Sequence, residues 1–355
     1  MSAIQHLVRP QVLALQSYDL PPAGDGIRLN ANESAWRGEN DRYSPGLNRY
    51  PDAYPQWLSA RLAKLFQVAP EQVVVTRGSD EAIDLLLRLF CREGVDEIIV
   101  CPPTFAMYKV YAQVQGAGVT EVPLDAGKGF GLDADKVLAA CQPNTRLLFL
   151  CSPNNPTGQL LDEQAVLGLA QALLGRAVVV VDEAYVEFAD RPSLIGQLER
   201  TPNLVILRTL SKAYALAGAR LGAMVASREI TDLFRRIVPP YALATPVLEA
   251  ADALLDGQSL QSVEKRIKQV RQLREDLAAE LATIRTVRKV WPSDANFLLV
   301  SLDNAAGVSA ACASRGILVR DFSRHPDLPD CLRFTIGTPE EQSALLACIR
   351  EQANG

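Results

Sequence analysis

Lys212 is the side chain of this sequence with the most chemical promise. It follows Thr209 and Ser211 in Arg208-Thr209-Leu210-Ser211-Lys212-Ala213, and Arg220 stands eight positions beyond it. A lysine that loses its proton on desolvation is an amine nucleophile, able to hold an aldehyde as a Schiff base. The hydroxyls and the arginine around it suit a phosphate group. For a lysine taken alone, an exposed place in a polar loop is the commoner reading. Only its neighbours in the fold can reverse that.

Three further groups qualify. In Thr76-Arg77-Gly78-Ser79-Asp80-Glu81 a glycine turn joins an apolar run to a helical one, with Ser79 or Asp80 as the expected N-cap. A helix N-terminus preceded by glycine is a ready anion site. Ser152-Pro153-Asn154-Asn155-Pro156-Thr157-Gly158 locks two amides between prolines. In Asp182-Glu183-Ala184-Tyr185 a carboxylate ends an apolar run and a phenol follows three residues later. Each also has an ordinary explanation: a capped helix, a plain turn, a strand-end cap.

These groups need a scaffold, and the chain supplies one. Short β-branched or apolar runs occur at Val73-Val75, Glu97-Cys101, Thr120-Pro123, Arg146-Cys151, Ala177-Asp182, Leu204-Thr209 and Leu221-Ala226. Several are apolar throughout, as in strands covered on both faces. Their alternation with helical segments predicts an α/β layer fold with a mostly parallel seven-stranded sheet. Ligands of such sheets sit at the carboxyl ends of the strands, and each chemical group above falls just after one run. A long helix is expected from Val247 through Leu281. Val287-Trp291, Asn296-Leu302, Gly316-Arg320 and Cys331-Ile336 then read as strands, with helices near 305–315 and 340–350, forming a smaller α+β unit. Residues 41–250 are thus expected to form a large domain, and residues 1–40 with 251–355 an N-terminal arm plus a small C-terminal domain.

Composition narrows the function classes. The 355 residues are 48% hydrophobic and 22% charged, with a formal net charge of -5. With a pI near 5.3 and scattered basic residues, nucleic acid and anionic membrane surfaces are poor partners. No apolar stretch approaches the ~20 residues of a spanning helix, and the N-terminus has no signal-peptide pattern. The seven cysteines are not at metal-ligand spacing, and Cys91, Cys101, Cys141 and Cys151 lie in or beside apolar segments. Free buried thiols and a reducing, cytoplasmic setting are the expectation. With His6 and His325 the only histidines, a His-based metal site or a Ser-His-Asp triad is not expected, and no metal is assigned.

Asn155, Asp182, Tyr185, Lys212 and Arg220 occur in that order, each near a strand end. In these motifs, Asn-Pro-Thr-Gly, Asp-Glu-Ala-Tyr and Ser-Lys with the later Arg, the chain resembles the fold type I pyridoxal-phosphate aminotransferases over essentially its whole length. It is most similar to the histidinol-phosphate branch, through Arg77-Gly78-Ser79-Asp80-Glu81, Cys101-Pro102-Pro103-Thr104 and Leu332-Arg333-Phe334-Thr335-Ile336-Gly337-Thr338 as well. The resemblance implies pyridoxal 5'-phosphate as cofactor, bound to Lys212, which also moves the substrate proton. It implies that Asp182 pairs with the ring nitrogen and that Tyr185 and Asn155 donate to the ring's 3-oxygen. Ser79, Thr209, Ser211 and Arg220, with N–H groups of Gly78 to Asp80, would hold the phosphate. Phe105 would cover the ring face where relatives often carry Tyr. Tyr50 would reach the cofactor phosphate of a neighbouring subunit, making the active unit a homodimer with shared sites.

For the substrate, the resemblance implies that Arg333 binds an α-carboxylate, that Arg320 and Tyr18 hold a substrate phosphate, and that Asn30 lies nearby. The implied reaction interconverts histidinol phosphate and imidazole-acetol phosphate, with glutamate and 2-oxoglutarate as the partner pair. A threonine-phosphate decarboxylase or an aromatic amino-acid aminotransferase would use the same lysine, aspartate and arginines. A non-catalytic cofactor-binding regulator is a third class; the intact Lys212 and Asp182 and the lack of a basic patch speak against it.

Overall fold

A computed structural model of the chain describes residues 2–15 and 26–354. Seven strands form one sheet: β1 (Val73–Thr76), β2 (Glu97–Val100), β3 (Gly118–Glu121), β4 (Thr145–Cys151), β5 (Val178–Asp182), β6 (Leu204–Thr209) and β7 (Gly222–Ala226), in the order β1-β7-β6-β5-β4-β2-β3. Strands β2 to β6 pair in parallel, whereas β7 runs antiparallel to both β1 and β6. The helices are α1 (Pro10–Leu13), α2 (Gln56–Phe66), α3 (Gly78–Phe90), α4 (Met107–Gln115), α5 (Ala134–Ala140), α6 (Glu163–Ala172), α7 (Arg228–Arg235), α8 (Thr245–Leu254), α9 (Gly257–Ala282), α10 (Ala305–Ser314) and α11 (Pro339–Asn354).

The unbroken apolar runs follow from helices on both faces of the sheet. Side chains of a strand point alternately to opposite faces. Val179 and Val181 of β5 accordingly join a core with Leu58 of α2 and Leu169 of α6, while Val178 and Val180 join another with Ile83 of α3 and Ile230 of α7. Neither face can be polar, so β5 does not alternate.

A second sheet, ordered β10-β11-β9-β8, contains β8 (Val287–Val290), β9 (Phe297–Leu302), β10 (Arg320–Asp321) and β11 (Cys331–Thr335), all antiparallel. Leu298 and Val300 of β9 pack with Leu277 and Leu281 of α9, Val308 of α10 and Leu346 of α11.

Three local expectations change. The helix expected from Val247 through Leu281 is two helices, because the Asp256 carboxylate accepts from the N–H groups of Gln258 and Ser259 and starts α9 afresh. The strand expected at Gly316-Arg320 shrinks to Arg320–Asp321. Gly316, at φ +75°, turns out of α10, and the Ile317 N–H is taken by the Cys312 carbonyl in closing that helix. Neither Ser79 nor Asp80 is the N-cap of α3. The helix begins at Gly78, and the Arg77 N–H is met by Glu81. Among the described residues, no helix is long and apolar enough to cross a membrane.

Candidate active site

The carboxyl ends of β1, β4, β5 and β6 each release a loop carrying polar groups, and these loops meet. After β4, Asn154 is buried: its amide donates to the Pro103 carbonyl at 2.9 Å and Thr157 Oγ1 at 2.7 Å, and it accepts from Thr104 Oγ1 at 2.9 Å. Asn154 therefore ties the loop to the Pro102-Thr104 turn, and Asn155 is the amide left to face the site. Asn155 Nδ2 donates to the Tyr185 hydroxyl at 3.4 Å, and its Oδ1 accepts from Arg333 Nη1.

Asp182, the last residue of β5, is buried. Its Oδ2 accepts from the Tyr108 hydroxyl at 2.8 Å and its Oδ1 from the Ala184 N–H at 3.1 Å. Burial pushes its pKa up to about 6, against the pull of these two donors and of Lys212. The next residue, Glu183, turns the other way, accepting from Leu194 N–H and Ser193 and lying 3.8 Å from buried Arg208. Adjacent acidic residues at one strand end thus divide between site and scaffold.

Lys212 follows β6, with Nζ 5.7 Å from the centroid of the Tyr185 ring. It forms no ion pair among the described residues. Desolvation in the cleft, with the cations Arg333 and Arg220 nearby, lowers its pKa despite Asp182 and Asp80. The residue as a whole is exposed, while its amine is partly desolvated by the groups around it. Burial raises the Tyr185 phenol well above its ordinary value, so it remains a hydrogen-bond donor.

Arg220 brings the loop after β6 to the start of α3. It adopts the left-handed conformation (φ 54°), and its guanidinium pairs with Asp80 at 2.9 Å and approaches Ser211 Oγ at 3.4 Å. Ser211 Oγ in turn lies 2.9 Å from Thr209 Oγ1. A Cβ on Gly78 would stand 2.9 Å from Arg220 Nη2. On Gly222 it would stand 2.7 Å from the Gly78 carbonyl carbon. Glycine at these two positions lets the α3 N-terminus, β7 and the arginine converge in a cradle with the dipole and charge for an anion. Asp80 is acidic there and already engaged by Arg220, so its backbone N–H is the part that suits an anion.

Arg333, on β11, is partly buried, with its Nε buried and without a partner among the described residues, and lies over the Phe297 and Phe322 rings at 5.0 and 5.9 Å. Arg320 of β10 is its cross-strand partner. Phe105 packs edge-on against Tyr108 at 5.5 Å. Tyr50 stacks instead on Tyr241 at 4.6 Å, in a hollow with Asn32, Asn48 and Thr245. Asn30 is exposed. It is not joined to the cluster, although Glu33 beside it accepts from Arg28, Arg49 and the Tyr50 N–H. Tyr18 lies outside the described residues. Tyr108, the residue the sequence did not single out, belongs to no motif; its only signal was its place in the first turn after Pro103-Thr104-Phe105.

The cluster offers a buried carboxylate met only by neutral donors, a desolvated amine, a phenol-amide pair and a glycine-lined anion cradle. These fit pyridoxal phosphate, which has a protonatable ring nitrogen, an aldehyde, a ring oxygen and a phosphate. No group of three or more His, Cys, Asp or Glu side chains able to hold a metal occurs among the described residues.

Comparison with known proteins agrees with this chemistry. The family "Aminotransferase class I and II" matches residues 23–349. A histidinol-phosphate aminotransferase of Xylella fastidiosa is 46% identical over 91% of this chain and 89% of its own. The structure of histidinol-phosphate aminotransferase from Sinorhizobium meliloti, in complex with pyridoxal-5'-phosphate, superposes with a TM-score of 0.75 at 27% identity, covering 87% of this chain and 84% of that one. An L-threonine-O-3-phosphate decarboxylase from Porphyromonas gingivalis shares the fold, at 24% identity and TM-score 0.74, over 87% and 92% of the two chains. With the family pattern spanning nearly the whole chain and its strand-end groups gathered around Lys212, this protein belongs to the class I and II aminotransferases, which act with pyridoxal phosphate.

Proposed function

We propose that this chain transfers the amino group between L-histidinol phosphate and 2-oxoglutarate, giving imidazole-acetol phosphate and L-glutamate, in two half-reactions at one site. The observation that carries this reading is the pair of arginines on the small sheet. Arg320 and Arg333 are direct cross-strand partners, so their side chains leave the same face of the sheet. Arg333 Nε, buried and without a partner among the described residues, calls for a carboxylate, because a guanidinium so placed with only the neutral Asn155 as hydrogen-bond partner is costly without a counter-charge. Two adjacent guanidiniums suit both a dicarboxylate and a phosphate-bearing amine, and the 46% identity to a histidinol-phosphate aminotransferase favours that substrate pair.

When bound, pyridoxal phosphate supplies an aldehyde carbon for amines and an electron-accepting ring. Lys212, whose pKa is lowered by desolvation and by Arg333 and Arg220, holds the cofactor and then carries the proton at the substrate Cα. Asp182 keeps a proton on the ring nitrogen. Tyr185 and Asn155 donate to the ring oxygen, and Phe105 covers the ring. Ser79, Thr209, Ser211, Arg220 and the first N–H groups of α3 hold the phosphate. With histidinol phosphate and 2-oxoglutarate the holoenzyme is expected to release glutamate; with threonine phosphate it is expected to release no carbon dioxide. Carbon dioxide from threonine phosphate, with no glutamate from the first mixture, would overturn the assignment.

The working unit is a homodimer with shared sites. Ile27, Leu29, Trp36, Leu47 and Tyr50 are large apolar side chains exposed along one segment, and the Tyr50 ring stacks on Tyr241 of its own chain. Seven free, buried thiols suit a reducing, cytoplasmic compartment. Mixed dimers of Tyr50→Ala and Lys212→Ala chains are expected to regain one good site each, about a quarter of wild-type sites on random assortment. No regain on mixing would place Tyr50 in the site of its own chain or outside any site.

A further inference from the structure

We propose that Tyr108 is a positioning residue for this reaction: its buried hydroxyl donates to Asp182 Oδ2 and aims the carboxylate at the cofactor's ring nitrogen. The inference rests on Asp182 being the partner of that nitrogen.

Both side chains are buried, and the bond between them is 2.8 Å. Tyr108 cannot turn away easily. Its ring stacks on Phe149 at 5.0 Å with an interplanar angle of 11°, and Phe105 meets it edge-on. Phe149 lies on β4, the sheet neighbour of β5, which ends at Asp182. The phenol is therefore held by the same sheet that carries its acceptor.

The type of donor matters as much as its place. A carboxylate has room for about four hydrogen bonds. Tyr108 and the Ala184 N–H take one on each oxygen, and both are neutral. A lysine or arginine at position 108 would neutralise Asp182 from behind and weaken its hold on a cationic ring. A phenylalanine would leave one oxygen without its donor. Tyrosine orients the carboxylate, favours its charged form and keeps its charge for the ligand.

The surroundings act in the same direction. Asp182 is faced by Tyr108 from α4, Cys151 from β4, Asp80 from α3, and Tyr185 and Lys212 from the loops after β5 and β6. Burial raises both the Cys151 thiol and the Tyr108 phenol, so they stay protonated. Lys212 favours the Asp182 anion and Asp80 opposes it. Loss of the Tyr108 hydroxyl therefore moves Asp182 protonation to higher pH.

The test uses apoprotein titrated with pyridoxamine phosphate, which forms no bond to Lys212 and so reports the non-covalent hold. Tyr108→Phe keeps the stack on Phe149 and deletes only the hydroxyl. It is expected to bind roughly ten- to hundredfold more weakly at pH 7, the worth of one hydrogen bond to a charged group. The acid limb of its affinity profile should also lie at higher pH than in the wild type. In an Asp182→Asn background the same change should alter affinity by less than about threefold, since the two residues act as one unit. Unchanged affinity and an unchanged limb in Tyr108→Phe would overturn the proposal, as would an equal loss in the Asp182→Asn background. If the wild-type apoprotein fails to bind pyridoxamine phosphate, the underlying reading of the site falls instead, and that control separates the two failures.

Discussion

Lys212→Ala is expected to abolish the visible absorption of the cofactor-loaded protein and to slow turnover by roughly ten-thousandfold, the upper range for a positioned general acid-base. Two functions disappear with one side chain. Alanine has no amine to hold the aldehyde carbon, and it leaves no group to move the proton at the substrate Cα. The site around Lys212 eases loss of the amine's proton: desolvation, Arg333 and Arg220 lower its pKa against the opposing pull of Asp182 and Asp80. Lys212→Arg should be almost as inactive, because a guanidinium does not give up its proton in proteins. Small primary amines added to the alanine variant should restore part of the rate without restoring the fold of anything, since the cavity and the cradle at Gly78 remain. Absorption spectra and single-turnover rates check both points. A Lys212→Ala protein with the visible band and near-native turnover would falsify the assignment.

The strand-end groups were legible because each is local. Asp182 ends an apolar run, Lys212 follows one, and Gly78 precedes a helix, so a parallel sheet with its ligand at the carboxyl edge places them without knowledge of the packing. The antiparallel course of β7 was less so, since apolar runs look alike in either direction. The role of Tyr108 was not legible: its spacing on α4 is that of a core aromatic, and only the fold brings its hydroxyl to a residue 74 positions away. The contact of Arg333 with Asn155 spans 178 positions and joins the small sheet to the large one. The late start of β10 and the break before α9 depended on local capping bonds, one from the Ile317 N–H and two to the Asp256 carboxylate, that compete with a longer apolar or helical pattern.

Those packing facts set the second large effect. Asp182→Asn is expected to retain the cofactor, because the cradle of Ser79, Thr209, Ser211 and Arg220 is intact, but to slow removal of the Cα proton by about a thousandfold or more. An amide cannot keep a full positive charge on the ring nitrogen, and without that charge the ring is a poor acceptor of electrons. A second consequence concerns the apoprotein. Asp182 has an ordinary value of 3.8 and is raised by burial to about 6 in the folded chain. The folded state therefore binds the proton more tightly than the unfolded one, so stability falls as pH rises between those values and stays lower above them. The shift corresponds to about 3 kcal/mol. Apo Asp182→Asn should melt above apo wild type at pH 8, with a smaller gap at pH 5. Cofactor should then stabilise the wild type more than the variant, because only the wild type has a buried anion for a ring cation to neutralise. Thermal melts of both forms at the two pH values, paired with the proton-abstraction rate, test the site as an electrostatic unit. Equal apo melting temperatures at pH 8 together with a native rate would mean that Asp182 bears no charge the reaction uses.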